Sequence, residues 1–157
     1  MRGTLPAVFA VLACASLEAQ AQHRWTTSIK QGIEEHVIRT GGGARFIISC
    51  PSGLEKTNPG FTFESKKLKI AQSETRSVEL ILGIDAASHA YKVECSGDSC
   101  DWTSADAAGQ SAIEKSVNSL RSAKKFVVRV PGLKVSEEFS TSGARKALEN
   151  ALDGCES

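Results

Sequence analysis

Val78-Glu79-Leu80-Ile81-Leu82-Gly83-Ile84, followed after a polar interval by Tyr91-Lys92-Val93-Glu94-Cys95, is the stretch on which the fold turns. Val78, Leu80, Leu82 and Ile84 recur at every second position, as do Tyr91, Val93 and Cys95, and a two-residue period is that of a half-buried strand. Ile84-Asp85-Ala86-Ala87-Ser88-His89 reads as the connection between them. The two segments therefore predict an antiparallel pair with Cys95 on the inward face beside Tyr91 and Val93.

Strand signals continue on both sides. Upstream, Trp25 to Ile29 and Glu35 to Arg39 read as short strands, and Phe46, Ile48 and Cys50 form the inward set of another. Gly41-Gly42-Gly43 supplies a reversal between the last two. Phe61 and Phe63, followed by Leu68 and Ile70, suggest a hairpin around Ser65-Lys66-Lys67. Downstream, Phe126 to Val130 and Val135 to Phe139 read as strands joined by Pro131-Gly132-Leu133.

Helical periodicity is confined to two segments. Ile113, Val117 and Leu120 place a helix over Gln110 to Arg121, and Ala144, Ala147, Leu148, Ala151 and Leu152 place another over Gly143 to Leu152. Thr141 or Ser142 can cap the start of the second and Gly154 its end. The expected fold is mainly β (α+β), an antiparallel β-sandwich-like domain with two short helices, one of them C-terminal. No repeat or composition shift divides it.

The N-terminal end reads differently. A basic start at Arg2, an apolar run from Leu5 to Leu17 and Ala19-Gln20-Ala21 before Gln22 have the form of a signal peptide cleaved between Ala21 and Gln22. The apolar run is too short to cross about 30 Å of hydrocarbon, so no membrane span is expected. The division is 1–21 as leader and 22–157 as a single exported β-rich domain. Val11-Leu12-Ala13-Cys14 is a poor lipoprotein box, because Leu12 precedes the small residue and the leader would be short, so a lipid anchor at Cys14 is disfavoured.

Export suits the cysteines. Removal of Cys14 leaves Cys50, Cys95, Cys100 and Cys155, an even set in an oxidising compartment. Four cysteines allow three connectivities. Cys95 with Cys100, around Ser96-Gly97-Asp98-Ser99, and Cys50 with Cys155 are preferred, because the first pair closes a small turn and the second ties the early strands to the last turn. In the chain-entropy picture these loops contribute about 2 and about 4.8 kcal/mol. The competing readings are a four-thiolate zinc site, for which the Cys95–Cys100 spacing is loose, and a redox motif, which wants a shorter spacing at a helix start.

Composition excludes several functions. Of 157 residues, 41% are hydrophobic and 6% aromatic, and 19 bases stand against 18 acids for a net charge of +1. Nothing there suits a nucleic-acid partner. His23, His36 and His89 stand in separate contexts without metal spacing and read as surface histidines. Thr40-Gly41-Gly42-Gly43-Ala44 lacks the Lys-Ser/Thr of a phosphate loop. Asp85, Asp98 and Asp101 lack the order of a calcium loop and read as turn acids. No catalytic residue, metal ligand or cofactor is assigned. An enzyme would need an acid pair at Asp85 and Asp101 in a cleft with His89.

Surface contact remains. Lys66, Lys67 and Lys69, then Lys124 and Lys125, then Arg145 and Lys146, are basic clusters that usually face solvent. Trp25 and Trp102 are either core residues or interface anchors, and Trp102 follows Cys100-Asp101 closely. Trp102, Asp98 and Asp101 are the candidate interface.

The run from Val78 to Asp85, then Tyr91-Lys92-Val93-Glu94-Cys95 with Cys100 behind it, a helix with Leu120, the strand Phe126 to Val130, and Phe139-Ser140-Thr141-Ser142-Gly143-Ala144 with Ala147-Leu148 resembles the invasion-associated locus B family of exported bacterial proteins. The likeness covers Val78 to Leu152. The terminal cysteine is also similar to the small periplasmic accessory proteins of type VI secretion systems. The resemblance implies a non-enzymatic periplasmic or surface domain that works by protein-protein contact. The alternative is a periplasmic inhibitor or immunity protein against a lysozyme or amidase, with Cys95 to Asp101 as a protruding plug.

Overall fold

The computed structural model describes residues 23–51, 58–153 and 155, the side chains of Cys50 and Pro51 excepted. The leader, its cleavage site at Ala21 and Gln22, Cys14 and Gly154 lie outside the described residues. Nine strands form one antiparallel sheet: β1 (Thr26–Lys30), β2 (Ile33–Arg39), β3 (Arg45–Pro51), β4 (Gly60–Glu64), β5 (Arg76–Ile84), β6 (Ala87–Ser96), β7 (Ser99–Thr103), β8 (Lys125–Val130) and β9 (Val135–Ser140). Their order across the sheet is β1-β2-β3-β4-β7-β6-β5-β8-β9. Among the described residues the helical elements are helix α1 (Ala107–Ser122), a 3₁₀ turn at Pro131–Leu133 and the single turn α2 (Ala144–Ala147).

The alternating stretch behaves as read. Leu80 pairs with Tyr91 and Val78 with Val93, and Leu80, Leu82, Ile84, Tyr91, Val93 and Cys95 are all buried on one face. The connection is tighter than the sequence suggests. Only Asp85 and Ala86 turn the chain, with Asp85 at φ 49°, and His89 lies in β6 opposite Leu82.

The sheet does not lie flat. Five strand steps separate β3 from β8 in the sheet order, about 24 Å in a flat sheet. Yet the rings of Phe46 on β3 and Phe126 on β8 have centroids 5.4 Å apart, and Phe46 also meets Phe139 on β9 at 6.4 Å. The sheet therefore curls until its two ends face one another across a shared aromatic core. The Trp25 N–H donates to the Ser142 carbonyl at 2.9 Å, joining the residue before β1 to the segment after β9. The expected sandwich-like packing is carried by one continuous sheet, not by two.

Helix α1 covers part of the inner face. Asp106 caps it by accepting from the Gly109 N–H at 2.8 Å, which starts the helix three residues before the expected Gln110. Ile113, Ser116, Val117 and Leu120 are its buried positions.

Two expectations are corrected here. Leu68 and Ile70 form no strand, because β4 is already paired on one edge by β3 and on the other by β7. They are buried all the same, as loop residues packed into the core. The C-terminal helix is reduced to four residues, with Gly143 at its N-cap in place of Thr141 or Ser142. Beyond it, Glu149, Ala151 and Asp153 donate to carbonyls three residues back, and this tighter winding replaces the α-helical ladder while keeping Leu148 and Ala151 buried.

Candidate functional site

The β6–β7 hairpin holds the residues singled out for contact. Glu94 pairs with Asp101, Cys95 with Cys100 and Ser96 with Ser99, so Gly97 and Asp98 alone make the turn. Gly97 takes φ 59°, a region open to glycine at little cost. Cys95 and Cys100 are joined by a disulfide between directly opposed residues, both fully buried. The expected bridge is present, but it rivets two strands together and does not close a free loop. The pairing expected between Cys50 and Cys155 involves a side chain outside the described residues.

Neighbouring segments hold the hairpin tip. The Asp98 carbonyl accepts from the Ser65 N–H at 2.9 Å and the Gly97 carbonyl from the Ile70 N–H at 3.2 Å. The Ser65 hydroxyl donates to Glu137 Oε1 at 2.9 Å, and Lys67 Nζ stands 3.1 Å from the same oxygen. Residues 65–70 thereby tie the hairpin to β9. The plug expected from Cys95 to Asp101 is a docked hairpin, not a protruding loop.

The three candidate interface residues do not share one surface. Trp102 and Asp101 are adjacent on β7 and point to opposite faces. Trp102 is half-buried, stacked on Phe61 at 5.4 Å and edge-on to Tyr91 at 4.8 Å. Its role is support of the inner face. Asp101 is exposed on the outer face, where its carboxylate accepts from Thr62 Oγ1 at 2.6 Å and from Ser99 Oγ at 3.1 Å. Asp98 is exposed at the tip, and Glu94 stands beside Asp101 in the ladder. The outer end of this hairpin is therefore an acidic ridge of Glu94, Asp98 and Asp101.

Other sequence candidates are placed plainly. Trp25 is core, 3% exposed and stacked on Phe126 at 6.2 Å. Asp85 and Asp101 lie toward opposite ends of β6, since Asp101 pairs with Glu94 and Asp85 precedes Ala87, a separation of about 23 Å along the strand. They form no common cleft with His89. Among the described residues no group of three or more His, Cys, Asp or Glu side chains is arranged to hold a metal ion, and no helix is long and apolar enough to cross a membrane. Lys67 and Lys125 are engaged with Glu137 and Glu138.

His36 is the residue the sequence misplaced. It reads as a surface histidine in a polar strand, yet it is 2% exposed on the inner face of β2, in register with Thr27 and Ile48. Burial drives its pKa below the ordinary imidazole value, against the opposing influence of Glu34 and the Ala147 carbonyl. The available signal was positional: His36 and Ile38 share a face.

These features define an all-antiparallel, single-sheet domain closed by a helix and riveted by a disulfide within one hairpin. The chain belongs to the YfjT family, whose model matches residues 23–148. No curated protein and no solved structure shows significant similarity to it.

Proposed function

We propose that residues 22–157 form an exported domain, released from a 1–21 leader, that acts by contact with another protein in the periplasm or at the cell surface, in the manner of the invasion-associated locus B family. The observation that carries this reading is the disulfide-riveted β6–β7 hairpin with its exposed Glu94, Asp98 and Asp101. A bridge between Cys95 and Cys100 is kept in an oxidising compartment, which supports export. A ridge whose backbone is fixed before contact loses little conformational freedom on binding. A second bridge between Cys50 and Cys155 belongs to the same reading.

A basic protein surface is the complement this ridge calls for. The test is capture from periplasmic extract by the mature protein, alongside an Asp98→Ala/Asp101→Ala variant that keeps the fold. Capture of one protein by the wild type and its loss with the double variant support the reading. Absence of any specific capture, or equal capture by both, overturns it. Recovery of a lysozyme or amidase would direct the reading to inhibition of a wall-degrading enzyme.

A further inference from the structure

Strand β1 is an outer edge of the sheet, and its pairing with β2 fixes which backbone groups are left over. Gln31 and Gly32, at φ 53° and 81°, make a two-residue reversal, so Lys30 and Ile33 exchange hydrogen bonds across it. The ladder alternates, so Ser28 with Glu35 and Thr26 with Val37 do the same. The N–H and C=O groups of Thr27 and Ile29 therefore point away from β2. Among the described residues these groups have no hydrogen-bond partner. All five residues of β1 are exposed, Ile29 to 73%.

The free edge stops at a cationic cavity. Trp25, two residues before Thr27 and pointing the same way, already gives its N–H to the Ser142 carbonyl. A strand added antiparallel to β1 can thus pair with Ile29 and Thr27 and must end there. Beside that end, Arg24, Trp25 and Thr27 face Gly143, Lys146 and Ala147 across a cavity of about 270 Å³. It holds two cations and no acid, and the ion pairs of the described residues use neither cation. Gly143 shapes its wall. A Cβ there would stand 3.0 Å from Arg24 Cγ, so the missing side chain lets the arginine lie along the segment after β9.

We propose that β1 and this cavity bind the carboxy-terminal end of another protein, which adds as an antiparallel strand and sets its terminal carboxylate on Arg24 and Lys146. Polarity selects this occupant. An antiparallel strand runs its C-terminus toward the start of β1, where both cations stand, whereas a parallel one would bring its amino terminus there. A second copy fits poorly. Pairing Thr27 with Ile29 of the copy sets the copy's Lys30 opposite Thr26 and carries it toward Arg24 and Lys146, cation against cations. The opposite edge of the sheet, β9, bears Glu137 and Glu138 and would repel a carboxylate. Main-chain pairing supplies affinity of little sequence preference, and exposed Ile29 favours a β-branched or apolar residue opposite it. This inference does not depend on the acidic hairpin being a binding surface.

The test is a library of random peptides displayed with free carboxyl termini and selected on the mature protein, the enriched sequence then being synthesised as acid and as amide. A free-acid peptide should be enriched, and its amide should bind about tenfold or more weakly. The acid should shift the Thr27 and Ile29 amide resonances. Arg24→Ala/Lys146→Ala, at two exposed positions, should weaken the acid by a similar factor. Ile29→Pro removes an outward N–H while leaving the β2 ladder intact, and should abolish binding. No enrichment, equal binding of acid and amide, unchanged binding by the Arg24/Lys146 variant, or shifts confined to other strands overturns the proposal. A mature protein that is already dimeric through β1 without peptide overturns it as well. The comparison of acid with amide uses the wild type and decides the matter even where a variant fails to fold.

Discussion

The Tyr91 hydroxyl lies 2.7 Å from Ser116 Oγ and donates to the Ala112 carbonyl at 3.0 Å, pinning helix α1 to the centre of β6. A phenol at this position fills the inner face with its ring and satisfies its polar end on the helix. Tyr91→Phe should cost about 1 to 2 kcal/mol in urea unfolding, since Ser116 is buried and loses its partner. Burial also raises the Tyr91 pKa. Stability should be intact below the phenol's ordinary pKa of about 10 and fall as the pH rises through the raised value. The alkaline loss should be absent in Tyr91→Phe, which a urea series at several alkaline pH values would show.

Gly60 is required by closeness, not by backbone angle. A Cβ at this position would stand 2.5 Å from the Trp102 carbonyl oxygen across the β4–β7 ladder. Gly60→Ala should therefore force β4 from β7 and cost about 2 kcal/mol or more. Gly132, with nothing within 4 Å of such a Cβ, is the control, and Gly132→Ala should be close to neutral in the same thermal melt.

The Cys95–Cys100 bridge closes a short loop within one hairpin. Its removal in Cys95→Ala/Cys100→Ala should cost about 2 kcal/mol from the unfolded-state entropy alone. The hairpin should persist, because its turn is also held by Ser65 and Ile70. Denaturant midpoints and β7 amide protection in oxidised and variant protein would separate the two effects.

Glu137 and Lys67 form a pair whose members differ in worth. Glu137 is 14% exposed and accepts from the buried Ser65 hydroxyl, whereas Lys67 is 62% exposed. Glu137→Ala should cost about 1 to 2 kcal/mol by leaving the Ser65 hydroxyl proton without its acceptor, while Ser65 Oγ still accepts from the Lys67 N–H. Lys67→Ala should cost less than about 0.5 kcal/mol, and added salt should not alter the Glu137 effect much. Chemical denaturation at low and high ionic strength distinguishes them.

Periodicity carried most of the architecture. Val78 to Cys95 repeats with a period of two over a length no helix would tolerate, and Ile113, Val117 and Leu120 declare the helix equally directly. Strand β7 was harder to see. Ser99-Cys100-Asp101-Trp102-Thr103 alternates over only five residues, and the bridge spacing reads as a loop until the ladder opposite Glu94 to Ser96 is known. Leu68 and Ile70 mislead for the opposite reason, since two apolar residues can be buried from a loop once both edges of β4 are taken. The burial of His36 was legible in the face it shares with Ile38, but its neighbour Ala147 was not, because nothing local shows that Ala147 approaches from far along the chain. The candidate ridge was half legible: Asp98 and Asp101 stand on it, whereas Trp102 turns inward and Glu94 joins only through the register.

The strand order that brings Phe46 to Phe126 mixes local pairings with distant ones. The hairpins β5–β6 and β6–β7 close between neighbours, so they can form as soon as they emerge. Strand β4 can pair β3 at once, but its other edge must wait, because Gly60 pairs with Thr103, and β8 must return to β5 to pair Arg129 with Ile81. Contacts this distant along the chain place folding in the slower, millisecond-to-second regime. Throughout that interval Phe61 and Phe63 stand on a strand paired by β3 alone. Closing β4 onto β7 and β8 onto β5 is therefore the long-range step of assembly.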